Sequence, residues 1–196
     1  MKVIVGVSNR HVHLNKETYE KLFKKELTKF RDLDQPTQFA ANEKVSIKVN
    51  NIKMDNIRIV GPLREYNQIE ISLTDAYKLK VKPPIRTSGN LKGSLPVTII
   101  GPKGSVDLKE GLIIADRHIH ITKQQMKKYN LKEKENLAVK VNGEKSGILK
   151  NVHLKVLDNS NLRLHLDTDD ANSLGLKTGD EVEILRIKEG NNETKK

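Results

Sequence analysis

The chain has 196 residues, enough for one domain or two small ones with a packed interior. It has no cysteine, which excludes disulfides, thiolate metal sites and a cysteine nucleophile. The net charge of +11 comes from lysines scattered along the whole chain. With few aromatics and no nucleic-acid motif, it argues against a nucleic-acid partner and is compatible with small anions.

Three Phe, four Tyr and no Trp leave Val, Ile and Leu to build the core, and these favour strands where they alternate with polar residues. Residues 2–7 read as a strand. The spacing of Tyr19, Leu22 and Phe23 predicts a short helix over 14–25. Residues 26–43 contain Pro36 and little periodicity, and a loop is expected there. Alternating runs predict strands at 45–49, 57–60 and 68–73, after which Thr74 and Asp75 open a short helix through Leu79. Residues 83–84 and 88–93 read as loop. Strands at 97–100 and 105–108 flank Gly101-Pro102-Lys103-Gly104, which is expected to be a hairpin turn rather than a phosphate loop.

The second half repeats this order. A strand is expected at 112–115, and Thr122 with Gln125 forms a capping-box pattern that starts a helix. Strands follow at 137–141, 148–157, 162–166 and 181–187, with a helical turn at 169–174. Residues 188–196 are polar and expected to fray. Short strands with frequent turns predict a mainly β fold: two small β-barrels related by internal duplication and capped by short α-helices. The first strand precedes its motif as the strand at 112–115 precedes the other, so it is expected to pair with the far half. The expected division is residues 1–9 with 116–188 in one barrel, 10–115 in the other, and 189–196 as a polar tail.

Arg10-His11-Val12-His13 recurs as Arg117-His118-Ile119-His120, using four of the six histidines. Side chains alternate along extended backbone, so both imidazoles of a pair can face one metal ion. The repeat continues: residues 71–79 align with 166–174, which sets Glu70 opposite His165. Each half then offers three ligands: His11, His13 and Glu70 in the first, His118, His120 and His165 in the second. Three protein ligands with an open position is the form of a catalytic zinc site, although these donors also suit cobalt, nickel or iron. A single His-x-His is more often an exposed or core pair; its duplication with matched third positions favours metal. His153 has no such match and reads as an ordinary strand residue. Arg64 is either a surface arginine or a bidentate phosphate clamp near Glu70. The carboxylates at Asp167, Asp169 and Asp170 read as caps for the following turn rather than a cation site.

Residues 5–14, 68–76, 115–120 and 164–172 (VGVSNRHVHL, QIEISLTDA, ADRHIH and LHLDTDDAN) together resemble the phosphate propanoyltransferases of the propanediol-utilisation type. The resemblance runs over nearly the whole chain. It implies two β-barrels with capping helices, usually in a homodimer, and a site with two zinc ions. The implied reaction converts acyl-CoA plus phosphate into acyl phosphate plus CoA, reversibly, with propanoyl-CoA or acetyl-CoA as substrate. It further implies that His11, His13 and Glu70 hold one zinc, that His118, His120 and His165 hold the other, that Arg64 faces phosphate, and that Ser8, Arg58 and Asn172 contact CoA.

Some members of that family carry an N-terminal microcompartment-targeting extension; with a strand read from Lys2, none is expected here. No signal peptide is legible and no apolar run reaches the roughly 20 residues needed to cross a bilayer. A cytoplasmic enzyme without a membrane partner is expected, with its link to propanediol degradation left open. The rival expectations are a two-metal hydrolase of phosphate esters or thioesters and a non-catalytic, zinc-stabilised binding module.

Overall fold

The computed structural model describes residues 1–135 and 137–187. The first half of the chain forms β1 (Lys2–Ser8), β2 (His11–His13), α1 (Lys16–Phe23), β3 (Lys29–Asp32), β4 (Phe39–Val49), β5 (Ile52–Gly61), β6 (Gln68–Glu70), α2 (Leu73–Lys78), β7 (Ile85–Arg86), β8 (Leu95–Gly101) and β9 (Gly104–Ala115). The second half forms β10 (His118–Ile121), α3 (Lys123–Lys128), β11 (Leu137–Val141), β12 (Gly147–Val156), β13 (Arg163–Asp167), α4 (Thr168–Ser173) and β14 (Glu181–Arg186).

The strands close into two barrels. In one, β4, β5, β2, β6, β9 and β8 pair in a ring that returns to β4, with β3 beside β4 and β7 beside β9. In the other the ring runs β1-β13-β10-β12-β11-β14. The two rings match strand for strand. Each histidine strand pairs in parallel with one neighbour, β5 or β12, and antiparallel with the other, β6 or β13. The expected duplicated, helix-capped β-barrels are therefore what the chain forms. The strand before each motif crosses over: β1 lies in the barrel of the second half, while β9 lies in the barrel of the first. Two covalent crossings, at residues 9–10 and 116–117, tie the barrels together.

Period-two alternation fills each barrel with branched side chains. Val45, Ile47, Ile57, Ile59 and Ile99 point into one core, and Val5, Ile119, Leu137, Val139 and Leu164 into the other, all fully or almost fully buried. Each such side chain contributes about 1.5–3 kcal/mol through removal from water. Helix α1 plugs the first barrel with Tyr19, Leu22 and Phe23; Asn15 caps it by accepting from Thr18 N–H at 2.9 Å. The expected capping box of α3 is present in both its bonds.

Several local expectations differ. Residues 26–43 are not one loop: they carry β3 and the start of β4. β3 is an exposed edge strand, so no buried side gives it alternation, and it is held by tertiary contacts. Thr28, just before it, donates from N–H and Oγ to the buried Glu43 carboxylate at 3.1 and 2.8 Å, and Lys25 pairs with Glu43 at 2.7 Å. The expected strand at 68–73 ends at Glu70, because Ser72 turns the chain and caps α2. The runs at 105–108 and 112–115 are parts of one strand, β9. The polar tail at 189–196 lies outside the described residues.

Each repeated motif is anchored by its arginine. Arg10 donates from Nε and Nη2 to the two oxygens of Asp75 at 2.7 and 2.6 Å, and Arg117 does the same to Asp170 at 2.7 and 2.7 Å. Asp75 and Asp170 sit at equivalent places in α2 and α4, and their backbone N–H groups are capped by Ser72 and Asp167. The clasp thus fixes each helical turn against its histidine strand.

Replacing Arg10 with Met strands the Asp75 carboxylate, whose side chain is only 2% exposed, without a partner. The expected cost is on the order of 3–5 kcal/mol, read as a lower urea midpoint. Arg117→Met should cost less, since Asp170 is 22% exposed and can rehydrate. Equal losses in the two variants would contradict this burial argument.

Glu43 supports a second expectation. Burial would raise its pKa, but Lys25 and the two Thr28 donors outweigh burial and hold it below the usual carboxylate value. A depressed folded pKa contributes stability above the unfolded value of about 4.3 and loses it as pH falls through the folded value. The stability gap between wild type and Glu43→Gln should be full near neutrality and shrink as pH falls below about 4. Thermal melts from pH 7 to 3 measure it, and a constant gap would refute the linkage.

Candidate functional site

Val12 and Ile119 point into the two cores, so alternation turns His11 and His13, and likewise His118 and His120, to the outside of their barrels. These outer faces meet. A cleft between the barrels is lined by His11 and Glu70 from the first barrel, by Ser8, His118 and His165 from the second, and by Asp116 at the crossing between them. Antiparallel pairing supplies the third group of each set: His11 is in register with Glu70 on β6, and His118 with His165 on β13.

The first set converges tightly. The ligand atoms of His11, His13 and Glu70 lie within 4.8 Å of one another, the only such trio among the described residues. His11 Nε2 is 3.5 Å and His13 Nε2 4.0 Å from the Glu70 carboxylate. In the second set the rings cluster, with centroids 4.2 Å apart for His120 and His165, 4.9 Å for His118 and His120, and 5.2 Å for the stacked His118 and His165.

Backbone carbonyls set the tautomers. Nδ1 of His11 faces Asn9 O at 2.8 Å, Nδ1 of His13 faces Val60 O at 3.1 Å, and Nδ1 of His118 faces Asp116 O at 2.9 Å. A carbonyl only accepts, so each Nδ1 carries the proton and each Nε2 keeps a free lone pair. Both ring nitrogens of His120 are buried without any partner. A buried imidazole with an unused lone pair is costly unless a cation or donor meets it, so this donor set fits a metal ion.

The electrostatics agree. Burial pushes His13 well below the usual imidazole range, reinforced by His11 and Arg64. Burial likewise lowers His118, takes His120 to about 3 and takes His165 to about 2, with neighbouring imidazoles adding to the last two. Neutral imidazole is the ligating form. Burial would raise Glu70, but His11, His118, Lys155 and Arg64 outweigh it and keep the carboxylate ionised.

Arg64 follows β5 through the turn at Gly61, where the Phe39 ring packs so closely that a side chain would collide with it. Its N–H donates to Leu14 O at 2.8 Å, and its guanidinium donates to the Tyr66 hydroxyl at 2.8 Å. Its charge reaches His13, Glu70 and His120. Of the other expected contacts, Ser8 lines the cleft. Arg58 is in register with His11, but its guanidinium donates to Ala41 O and covers the Phe30 ring at 4.7 Å. Asn172 is exposed on α4. Arg58 and Asn172 stand outside the cleft lining. His153 is exposed on β12.

Sequence reasoning missed three residues. Gln35 is buried and places Nε2 3.2 Å from His165 Nε2; its loop reaches the far barrel through Asp34, which pairs with Arg163 at 2.6 Å. Nothing local in the sequence signals that reach. Asp116 precedes the second motif and has one buried carboxylate oxygen without a partner. Lys155 is in register with His120 across the parallel β10–β12 pair. Burial lowers its pKa, while Glu70 and Asp116 oppose that and Arg64 adds to it.

Comparison with known proteins places this geometry in context. The sequence model of a family described as phosphate propanoyltransferase matches residues 4–177. A phosphate propanoyltransferase of Thermotoga maritima is 45% identical over 188 residues, covering 94% of this chain and 90% of that protein. One from Lachnoclostridium phytofermentans is 46% identical over 186 residues, covering 93% and 87%. One from Priestia megaterium is 44% identical over 180 residues, covering 91% and 83%.

His11→Ala, Glu70→Ala and His118→Ala are each expected to lower the content of bound metal. The loss in affinity should exceed the roughly 10–100-fold typical of losing only an outer partner of a ligand. His153→Ala should retain wild-type metal, since His153 belongs to neither set. Metal analysis of the four purified variants after dialysis checks this; wild-type metal content in His11→Ala or loss in His153→Ala would overturn the assignment.

Proposed function

The chain belongs to the phosphate propanoyltransferase family, a family of acyltransferases, and from this we propose that it converts acyl-CoA and phosphate into acyl phosphate and CoA, reversibly. Propanoyl-CoA and acetyl-CoA are the proposed substrates. The observation that supports the reading is the inter-barrel cleft, where His11 and Glu70 of one set meet His118 and His165 of the other, with the charge of Arg64 acting on Glu70 from outside the lining.

In this reading His11, His13 and Glu70 hold one zinc ion, and His118, His120 and His165 hold a second. Zinc, when bound, supplies Lewis-acid stabilisation of developing oxyanion and thiolate charge. The protein's own groups do the rest. Arg64 presents a planar fork to two phosphate oxygens, held in place by its backbone bond to Leu14 and by Tyr66. A third phosphate oxygen attacks the thioester carbonyl carbon. The new C–O bond forms, the C–S bond breaks, and CoA leaves as the thiolate. Ser8, on the cleft wall, is the proposed CoA contact that the geometry supports best. The chain has no cysteine to carry an acyl group, which favours direct transfer within a ternary complex.

The test is thiol release from propanoyl-CoA or acetyl-CoA, followed with phosphate present and absent. Release is expected only with phosphate. Release into water alone would favour the hydrolase reading. Ping-pong kinetics with an isolable acyl-enzyme would exclude direct transfer.

Arg64→Lys keeps the charge but loses the fork. Each lost charge-assisted hydrogen bond should cost on the order of 1.5–3 kcal/mol, roughly one to two decades in phosphate affinity or turnover. Zinc content and most CoA affinity should persist. Steady-state kinetics with phosphate and acyl-CoA varied separately decide; an unchanged phosphate constant and turnover would make Arg64 an ordinary surface residue.

A further inference from the structure

We propose that Lys155 is a second phosphate-binding cation, which closes on the phosphoryl group from the barrel opposite Arg64. The inference rests on the phosphotransacylase reading above and adds a residue from the second barrel to its phosphate side.

The placement follows from register. On parallel neighbouring strands, residues in register point to the same side of the sheet. Ile119 and Leu154 are in register, and both pack into the second barrel core. His120 and Lys155, one residue on, therefore share the outer face that forms the site. The strand equivalence puts Val60 at the matching place in the first half, since Val12 pairs with Ile59 there. Duplication alone does not account for a lysine at this position. A side chain with a long apolar stem and a charged end stands in the second half where the first half has a short apolar one.

The charge balance points to an anion. Arg10, Arg117 and Arg163 are each paired with a carboxylate, Asp75, Asp170 and Asp34, while Arg58, in register with His11, turns its guanidinium to Ala41 O and the Phe30 ring. Arg64 and Lys155 form no ion pair with a carboxylate among the described residues. These same two cations act together on Glu70, and each lies within the other's field. Glu70 is the one carboxylate in both fields and belongs to the first ligand set, so two like charges that act on each other there gain from a further anion between them. One comes from the turn after β5 and the other from β12, so the space they share spans the two barrels. A phosphoryl group, with several anionic oxygens, can meet a planar fork on one side and a point charge on the other. The thioester and acyl portions of the substrate are neutral in the ground state, so a second cation contributes to the binding of phosphate rather than to theirs.

The experiment compares zinc-loaded wild type with Lys155→Met and Lys155→Arg. Phosphate and acyl-CoA are varied separately, as are acyl phosphate and CoA in the reverse direction. Lys155→Met is expected to raise KM for phosphate and acyl phosphate roughly 10–100-fold, the effect of a lost charge-assisted contact. KM for acyl-CoA and CoA, zinc content and Tm should stay at wild-type values, and Lys155→Arg should restore most of the phosphate affinity. A rise confined to CoA and acyl-CoA would overturn the proposal and assign Lys155 to the CoA phosphates. Unchanged constants, or a loss of zinc or Tm that accounts for the kinetic change, would overturn it as well.

If the wild type shows no phosphotransfer, the proposed reaction fails, and calorimetric binding of inorganic phosphate to the same zinc-loaded proteins decides the role of Lys155. Binding by wild type that is weakened in Lys155→Met supports the proposal. Equal binding, or none by wild type, overturns it.

Discussion

The site depends on a two-pronged ion pair placed one residue before each pair of histidines. Arg10 grips Asp75, and Arg117 grips Asp170, with both carboxylate oxygens engaged each time. Each aspartate lies in the helical turn that follows the strand bearing the third ligand-type residue, Glu70 or His165. The clasp therefore joins the histidine strand to the turn and so holds the third residue's strand in place. Ion pairs of this kind return little net stability, because burying both charges offsets most of their attraction. Their contribution here is geometric. A bidentate fork tolerates little displacement, and the ligand atoms of His11, His13 and Glu70 stay within 4.8 Å of one another.

Duplication explains how two such sets come to share one cleft. Each barrel buries the residue between its two histidines and turns the histidines outward. An isolated barrel would leave them in water. The exchange of β1 and β9 between the halves brings the outward faces together and covers them, so that His13, His118 and His120 are nearly inaccessible. Burial then keeps those three imidazoles neutral, and the carbonyls of Asn9, Val60 and Asp116 leave the Nε2 lone pairs of His11, His13 and His118 free.

The frame is symmetric, but its chemistry is not. Glu70 stands opposite His165 in the repeat, and Val60 opposite Lys155. Only the first half has the long excursion that carries β3 and sends Gln35 across to His165. The result is one carboxylate-containing set, one all-imidazole set, and a cation from each barrel.

Much was legible in the sequence because it is local or periodic. Alternating Val, Ile and Leu dictated strands, and their repetition dictated two like barrels. The repeated Arg-His-x-His dictated paired imidazoles on one face. The alignment that sets Glu70 opposite His165 reappears as the registers of His11 with Glu70 and His118 with His165. What the sequence could not show depends on residues far apart in the chain. β3 has no buried side, so nothing in its own composition marks it as a strand; Glu43 and the neighbouring β4 hold it there. Gln35 meets His165 across 130 positions, and Lys155 gains its meaning only from lying beside His120 on a parallel neighbour. Arg58, in register with His11, turns its guanidinium to Ala41 and Phe30, a choice made by side-chain packing. Local sequence thus determined the ligand types and the faces on which they stand. Tertiary structure decided which faces meet, because a strand's alternation fixes only the side to which a residue points, whereas barrel closure and strand exchange fix what lies on that side.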